Sequence, residues 1–436
     1  MISSDHVAIV LLIGTFFGLI ILGFQIAFAI GISTIITTLY LGIPLQSVFL
    51  MMVKGINIFA LMAVPFFILA GQIMGAGGIS KRLIQLAQAL VGWLRGSLAM
   101  VNVVASMFFG GISGSAAADT SSLGVILIPM MKDEGYDGEF ATTVTMASSI
   151  QGILIPPSHN MVIYAVAAGG VSIGRLFLAG MIPGILLGVA LMIYCYFVSV
   201  KRDYPKGKRF NLIVALKAIW KSALGLGTVL IVVVGVVSGI FTPTESAAIA
   251  VIYAFIVTFF IYREIPLSAM GDILSRSIKT LSVVMILAAT ATAFGWLVAY
   301  LQISNFIVNT LLGISESKIV IMMIINIVLL MLGCIVNMVS IILILTPILL
   351  PVVTSLGISP EHFGVIMILN LGIGLLTPPV GTVLFIGSAI SKIKIEVLSR
   401  AMLPFYIVMV IVLILITYVP QVTMFFPNYF MPLFSG

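Results

Sequence analysis

The sequence predicts an all-α polytopic membrane protein made of two repeats, each with a re-entrant helical hairpin and a broken helix. Three observations carry this. First, 61% of the 436 residues are hydrophobic and only 8% are charged, with a mean hydropathy of +1.31. Soluble domains carry about 25% charged residues, so this chain lacks the polar side chains to cover a globule in water. Second, charge-free runs at 6–53, 140–174, 280–315, 319–360 and 401–436 each exceed the roughly 20 residues that cross a bilayer as a helix. Barrel strands would instead alternate polar and apolar residues. Third, GILIPPSHNMVIYA at 152–165 matches GLLTPPVGTVLFIG at 374–387, an offset of 222.

That offset also pairs Gly111 with Gly333 and Pro129 with Pro351, while an offset of 224 pairs Asn102 with Asn326 and Gly71 with Gly295. Several matches in one order indicate an internal repeat, 20–190 against 236–410. Paired halves, often inverted across the membrane, are a transporter signature; inversion requires an odd number of crossings between corresponding points. The segment 201–221 carries Lys201, Arg202, Lys206, Lys208, Arg209, Lys217 and Lys221 against a single acid, Asp203, which makes it a cytoplasmic loop by the positive-inside rule. The division is therefore 1–200 for the first repeat, 201–223 for a basic linker and 224–436 for the second repeat. The net charge of +7 belongs to this sidedness, not to nucleic-acid binding. The N-terminus lacks a basic region and cleavage site, so 7–40 reads as mature spans.

Each half begins with a span or pair of spans, 7–40 and 224–262. Another follows, broken at Pro65 in 48–74, with a counterpart at 280–300. Amphipathic stretches at 80–95, 212–222 and 268–279 carry basic residues and Trp93 or Trp220, and suit helices lying along the headgroup boundary. Glu245 in FTPTES suits a cap for the helix at 246–262.

Four interruptions come next, two per half. In hydrocarbon, an unpaired backbone group costs several kcal/mol, so irregular backbone persists only where it lines a cavity inside the protein. FFGGISGSAAADTSS at 108–122 sits between apolar arms at 97–109 and 123–131 that are too short to span, and its counterpart LGCIVNMVS at 332–340 lies between arms at 319–332 and 338–355. They read as the tips of hairpins at 97–131 and 319–355. Pro156-Pro157 and Pro378-Pro379 cut the helices at 140–170 and 362–390. Proline donates no hydrogen bond, which frees the carbonyls of Gly152 and Ile153 in one half and of Gly374 and Leu375 in the other. Such carbonyls suit a hard cation such as Na⁺, with the hydroxyls of Ser113 and Thr377 completing the shells. The half-helices after each break aim positive dipole ends at the gap, which favours an anion. Asp119, an acid inside a span, is a functional candidate; its other role is to cap the second hairpin arm through the amides of Ser121 and Ser122. His159 either faces the cavity or is a satisfied core histidine.

Other chemistries find no support. Cys195 and Cys334 lie in apolar runs, the three histidines are far apart, and no phosphate loop is present, so neither a transition-metal site, nor a cofactor, nor ATP hydrolysis is expected. An intramembrane hydrolase would need a nucleophile–base pair or two facing aspartates, a channel would not need paired hairpins, and an ABC-type permease would need an ATPase partner. The chain reads as a carrier, not an enzyme.

At the hairpin and Pro-Pro motifs the sequence resembles the large membrane subunit of tripartite ATP-independent periplasmic (TRAP) transporters, within the ion transporter superfamily. FFGGISGSAAADTSSLGVILIPMM, GILIPPSHNMVIYA, FTPTESAA and GLLTPPVG carry the resemblance. It implies an elevator-type carrier in a bacterial inner membrane, paired with a separate small membrane subunit. A periplasmic binding protein would deliver an organic-acid anion, a C4-dicarboxylate or a sugar acid, for Na⁺-driven uptake. Carried over residue by residue, it implies one sodium site at Ser113, Gly152, Ile155 and Pro157. A second would lie at Gly333, Gly374, Thr377 and Val380, with substrate near Ser115, Asp119 and Asn337. Gly110 stands where relatives often have a hydroxyl, and Asn337 where some sugar-acid carriers have an acid. The alternative is a self-sufficient Na⁺- or H⁺-coupled anion symporter of the same superfamily.

Overall fold

The computed structural model describes residues 4–207, 209–315 and 317–434; Lys208 of the basic linker and the outermost residues of both repeats lie outside this range. Among the described residues the chain is helix and loop, with one isolated β-bridge between Arg95 and Lys206. Among the described residues eight helical stretches are long and apolar enough to cross a membrane, Lys318–Ile335 and Met338–Ser355 among them.

The first half opens with α1 (Ser4–Ile21) and α2 (Ile26–Tyr40), then α3 (Leu45–Ile56), α4 (Ala63–Ala76) and the amphipathic α5 (Ile79–Val91). The expected break at Pro65 is displaced. The helix ends before Asn57 and Ile58 and resumes through a 3₁₀ turn, Phe59–Met62. Pro65 falls in the first turn of α4, where its missing N–H removes no intrahelical bond. The first hairpin is α6 (Ser97–Ser113) and α7 (Ala116–Asp133). The broken helix is α8 (Gly138–Ser149), a single turn α9 (Gln151–Leu154) and α10 (His159–Ala167), followed by α11 (Ile173–Lys201).

The second half starts with α12 (Leu212–Val237) and α13 (Pro243–Phe255), the latter continued by a π-helical stretch to Tyr262. Glu245 does cap its helix: the Thr242 hydroxyl accepts from the Glu245 amide at 3.2 Å and the Thr242 amide donates to Glu245 Oε2 at 2.8 Å, a capping box with Pro243 in the first turn. Then come α14 (Met270–Tyr300), α15 (Ile303–Ile314), the hairpin α16 (Lys318–Ile335) and α17 (Met338–Ser355), and the broken helix α18 (Pro360–Gly374) and α19 (Thr382–Ser391). The chain ends with α20 (Ile395–Tyr418) and α21 (Pro420–Phe434).

Two of the three amphipathic stretches are not separate surface helices. Residues 212–222 are the opening turns of α12, and 268–279 run from a 3₁₀ turn, Leu267–Ala269, into α14; the two helices have 26 and 31 residues. At about 1.5 Å per residue both outrun the roughly 30 Å hydrocarbon layer, so their polar turns extend a span beyond it. The helix equivalent to α5 is α15, at the offset of 224 already seen in the sequence.

Packing is crosswise. The first parts of the broken helices, α8 and α18, pack against their own hairpins, whereas α10 packs on α17 and α19 packs on α7. Each broken helix thus reaches into the opposite hairpin. One buried core containing Tyr164, Phe177, Phe363 and Phe405, and a second containing Phe109, fill the space around them.

Candidate functional site

In the first half the hairpin turn is pressed onto the helix break. α6 ends at Gly114, whose φ of +59° is a left-handed conformation suited to glycine. A Cβ on Gly114 would lie 2.9 Å from the Pro157 carbonyl oxygen, and one on Gly111 would lie 3.2 Å from that of Pro156. Four residues before the turn, a Cβ on Gly110 would overlap the Cα of Gly152, and one on Gly152 would lie 3.0 Å from the Gly110 Cα. Two helices touch here backbone to backbone. The structure therefore brings Gly152 and Pro157 against the hairpin turn that carries Ser113, while the Ser113 backbone also packs on Gly71 of α4 and Ile155 packs on Gly184 of α11.

No hydrogen bond among the described residues reaches the carbonyls of Gly152 or Ile153, as the prolines at 156 and 157 imply. Around them lies a buried polar chain. The Ser106 hydroxyl donates to Asp119 Oδ1 at 3.0 Å and lies 3.1 Å from the Ser148 hydroxyl. Asn102 donates to Thr145 Oγ1 at 2.6 Å and accepts from Ser148 at 3.3 Å. The second Asp119 oxygen, Thr120 Oγ1, Gln151 Oε1 and Ser158 Oγ are buried without a partner among the described residues. Leaving such a group unsatisfied costs about 1–3 kcal/mol, and more when charged.

Asp119 does not cap its helix. Ser115 does, accepting from the Ala118 amide at 3.3 Å. Asp119 lies one turn below the tip, fully buried, with Oδ2 3.8 Å from the place a Gly152 Cβ would occupy. Ser115 is half-buried at the tip. The structure thus separates two residues that the sequence places together: Ser115 at the hairpin opening, Asp119 inside the contact between hairpin and broken helix.

The second half repeats the plan, with an equally close approach of two backbones. A Cβ on Gly374 would lie 2.5–2.7 Å from the Gly333 backbone, and the Val380 amide donates to the Cys334 carbonyl at 3.1 Å. Gly333, Gly374 and Val380 therefore meet at one joint, with Thr377 in the intervening loop. Here one expectation fails: the Gly374 and Leu375 carbonyls are not free. Thr377 and Val383 amides donate to them, each at 3.0 Å, because the chain after Pro379 turns back toward the break. The Thr377 hydroxyl donates to Ile373 at 2.9 Å, and Tyr406 donates to Leu376 at 2.6 Å. Asn337 caps α17, accepting from the Val339 amide at 2.9 Å, the same duty that Ser115 performs at an offset of 222.

Sequence reasoning missed how the hairpins are fastened. Asn326 and Asn370 are joined through the Asn370 amide at 2.9 Å, and Asn326 donates to Thr417 at 3.1 Å. Asn102 and Ser148 make the matching link in the first half. The signal was available, since Ser148 and Asn370 stand 222 apart and Asn102 and Asn326 stand 224 apart. His159 lies half-buried just after the break. Among the described residues no three His, Cys, Asp or Glu side chains gather to hold a metal, so carbonyls, hydroxyls and the single carboxylate of Asp119 are the available donors.

Comparison with known proteins gives this geometry a family. Residues 13–422 match the family model of the tripartite ATP-independent periplasmic transporter, DctM component. The chain is 40% identical to the sialic acid TRAP transporter large permease protein SiaM of Vibrio cholerae, over 96% of this chain and 97% of that one. It is also 40% identical to the isethionate TRAP transporter permease protein DctMQ of Oleidesulfovibrio alaskensis, over 95% of this chain and 66% of that longer protein. Among solved structures, the YdaH transporter of Alcanivorax borkumensis shares the fold at a TM-score of 0.59 and 16% identity, covering 86% of this chain and 88% of that one. The chain is a multi-pass membrane protein and belongs to the family of TRAP transporter large permease subunits.

Proposed function

We propose that this chain is the carrier subunit that takes up a small organic-acid anion across a bacterial inner membrane, driven by Na⁺ moving in the same direction. A small membrane subunit and a periplasmic binding protein complete the system. The relatives are named for different substrates, isethionate and sialic acid, so the cargo is proposed here only as a class.

The observation that supports the reading is the paired joint: in each half a hairpin turn meets a helix break at a glycine–glycine contact. In the first joint, the free carbonyls of Gly152 and Ile153 and the unpaired Asp119 oxygen suit a desolvated monovalent cation, with Ser113, Ile155 and Pro157 beside them. A carboxylate repels an anion, so Asp119 is assigned to the cation side of the site. In the second joint Gly333, Gly374, Thr377 and Val380 form the corresponding cation site. Each carbonyl has two lone pairs, so an internal hydrogen bond still leaves one for the ion. The anion is held between the tips, against the N-termini of α7 and α17, with Ser115 and Asn337 in contact with it. The hairpins and broken helices, interlocked crosswise, move as one body against the remaining helices.

The test is uptake into proteoliposomes under an imposed Na⁺ gradient, with a panel of organic acids, with and without the two partners. Expected is uptake that requires Na⁺ and both partners, and that is abolished by Gly152→Leu or Thr377→Val in protein that still folds and inserts. Uptake indifferent to Na⁺, or normal in both variants, overturns the cation sites. Uptake by this chain alone overturns the partner assignment and places it with self-sufficient symporters.

A further inference from the structure

The basic linker carries a cavity that the transport reading leaves unused. It has a volume of about 800 Å³ and opens where α5, the base of the first hairpin and the start of α12 meet. Lys206, Arg209, Lys217 and Lys221 line it, Trp93 forms part of its wall, and Glu134 is the one acid among the lining residues. Among the described residues none of these four cations has an ion-pair partner. Their neighbours Arg95 and Arg202 do, in Asp203 and Asp137. Asn211 caps α12, accepting from the amides of Ile213 and Val214 at 2.9 and 3.3 Å. The positive charge of the cavity therefore comes from side chains, not from open helix amides.

The first turns of α12 also expose Ile213, Leu216, Ile219 and Trp220, which are 76%, 57%, 43% and 82% accessible. Unpaired cations thus stand beside an uncovered apolar helix face. A small soluble phosphate compound has no use for that apolar face. A phospholipid needs both parts: cations for its phosphate and an apolar wall for its chains.

We infer that the cavity between α5, the linker and α12 is a binding site for the headgroup of an anionic phospholipid, whose acyl chains lie along the exposed apolar face of α12. The positive-inside rule assigns the linker to the leaflet side facing the cytoplasm. A lipid seated there touches the base of the first hairpin as well as α5 and α12, and so joins elements that are far apart in sequence.

The experiment uses the full chain, with any membrane subunit that co-purifies, reconstituted in mixed phosphatidylethanolamine–phosphatidylglycerol vesicles. Retained lipid is then counted by native mass spectrometry. The expected result is selective retention of phosphatidylglycerol, lowered at least about fivefold in K206Q/R209Q/K217Q/K221Q, the equivalent of one Lys or Arg contact at a membrane surface. The charge-keeping variant K206R/R209K/K217R/K221R should retain it as the parent does. In the parent itself, rising salt should reduce retention, which tests the inference even if the neutral variant misfolds. Equal retention in the neutral variant, or equal retention of phosphatidylethanolamine, overturns the inference. Displacement by millimolar inorganic phosphate overturns the lipid assignment in favour of a soluble phosphate ligand. Loss of a co-purifying subunit without loss of lipid overturns it in favour of a protein interface.

Discussion

The two helix breaks share a motif and differ in almost everything around it. In the first, Pro156, Pro157 and Ser158 are buried, the hairpin tip is buried up to Gly114, and two carbonyls lack partners. In the second, Pro378, Pro379 and Val380 are exposed, Ile335 and Asn337 at the hairpin tip are exposed, and the break satisfies its carbonyls through Thr377 and Val383. The residue equivalent to Asp119 at an offset of 222 is Ile341, buried at 2% accessibility. The first joint is thus closed, polar and unsatisfied; the second is open and satisfied from within. A duplicated sequence supplies two gaps, and their surroundings give them different chemistry. The first is shut off from its surroundings, and the second is open to them.

The sharpest way to break this comparison is at the glycines. Gly110→Ala drives a Cβ into the Gly152 backbone, whereas Gly333→Ala places one 3.3 Å from the movable Leu371 side chain and 3.4 Å from the Gly374 Cα. Overpacking against rigid backbone should cost Gly110→Ala about 2–3 kcal/mol and abolish uptake, with Gly333→Ala costing below about 1 kcal/mol. Thermal unfolding and uptake of both variants read this, and similar losses would mean that the Leu371 side chain does not give way beside Gly333.

Next in size is Asn370→Ala, which removes the amide that joins α18 to α16 and leaves a buried Asn326 oxygen short of a donor. A loss of about 2 kcal/mol in thermal stability is expected. Ser148→Ala should cost less, since Asn102 keeps Thr145. The opposite order would show that the first hairpin, not the second, depends on this link.

Asp119→Asn keeps the shape of the first joint and removes its charge. Apparent Na⁺ affinity in uptake should fall about tenfold, about 1.4 kcal/mol, with thermal stability unchanged or raised because a buried unpaired oxygen is neutralised. Unchanged Na⁺ dependence would reduce the difference between the joints to packing alone.

The smallest effect belongs outside both joints. Arg202 donates to Asp137 at 2.5 Å, with both side chains about half exposed, so Arg202→Gln should lower stability by no more than about 1 kcal/mol. A larger shift in the melting temperature would mean that the linker, fastened here to the loop after α7, helps hold the first hairpin in place.

Much of this was legible in the chain. The hairpin at 97–131 and the break at Pro156-Pro157 fall where the apolar arms and the missing proline donors put them, as do their partners at 319–355 and Pro378-Pro379. Equivalent helices could still not be aligned by pattern alone. Residues 268–279 read as an amphipathic surface helix, yet they run into a continuous 31-residue α14, while the matching region of the first half is split at Asn57 and Ile58. Polarity along a segment reports which faces meet water or headgroups. It does not report whether the next segment continues on the same axis.

The sequence by itself determined that the chain lies in a membrane, that it is duplicated, and that its helices break at the two Pro-Pro pairs, because charge density and two adjacent missing N–H groups act locally. Tertiary structure alone decided what each stop became. Whether a freed carbonyl stays open, as at Gly152, or is taken by a returning amide, as at Leu375, depends on how closely a distant segment approaches. The direction of Asp119, turned inward to Ser106 and Gly152 instead of outward to the hairpin tip, was settled in the same way, by which backbones could touch at glycine.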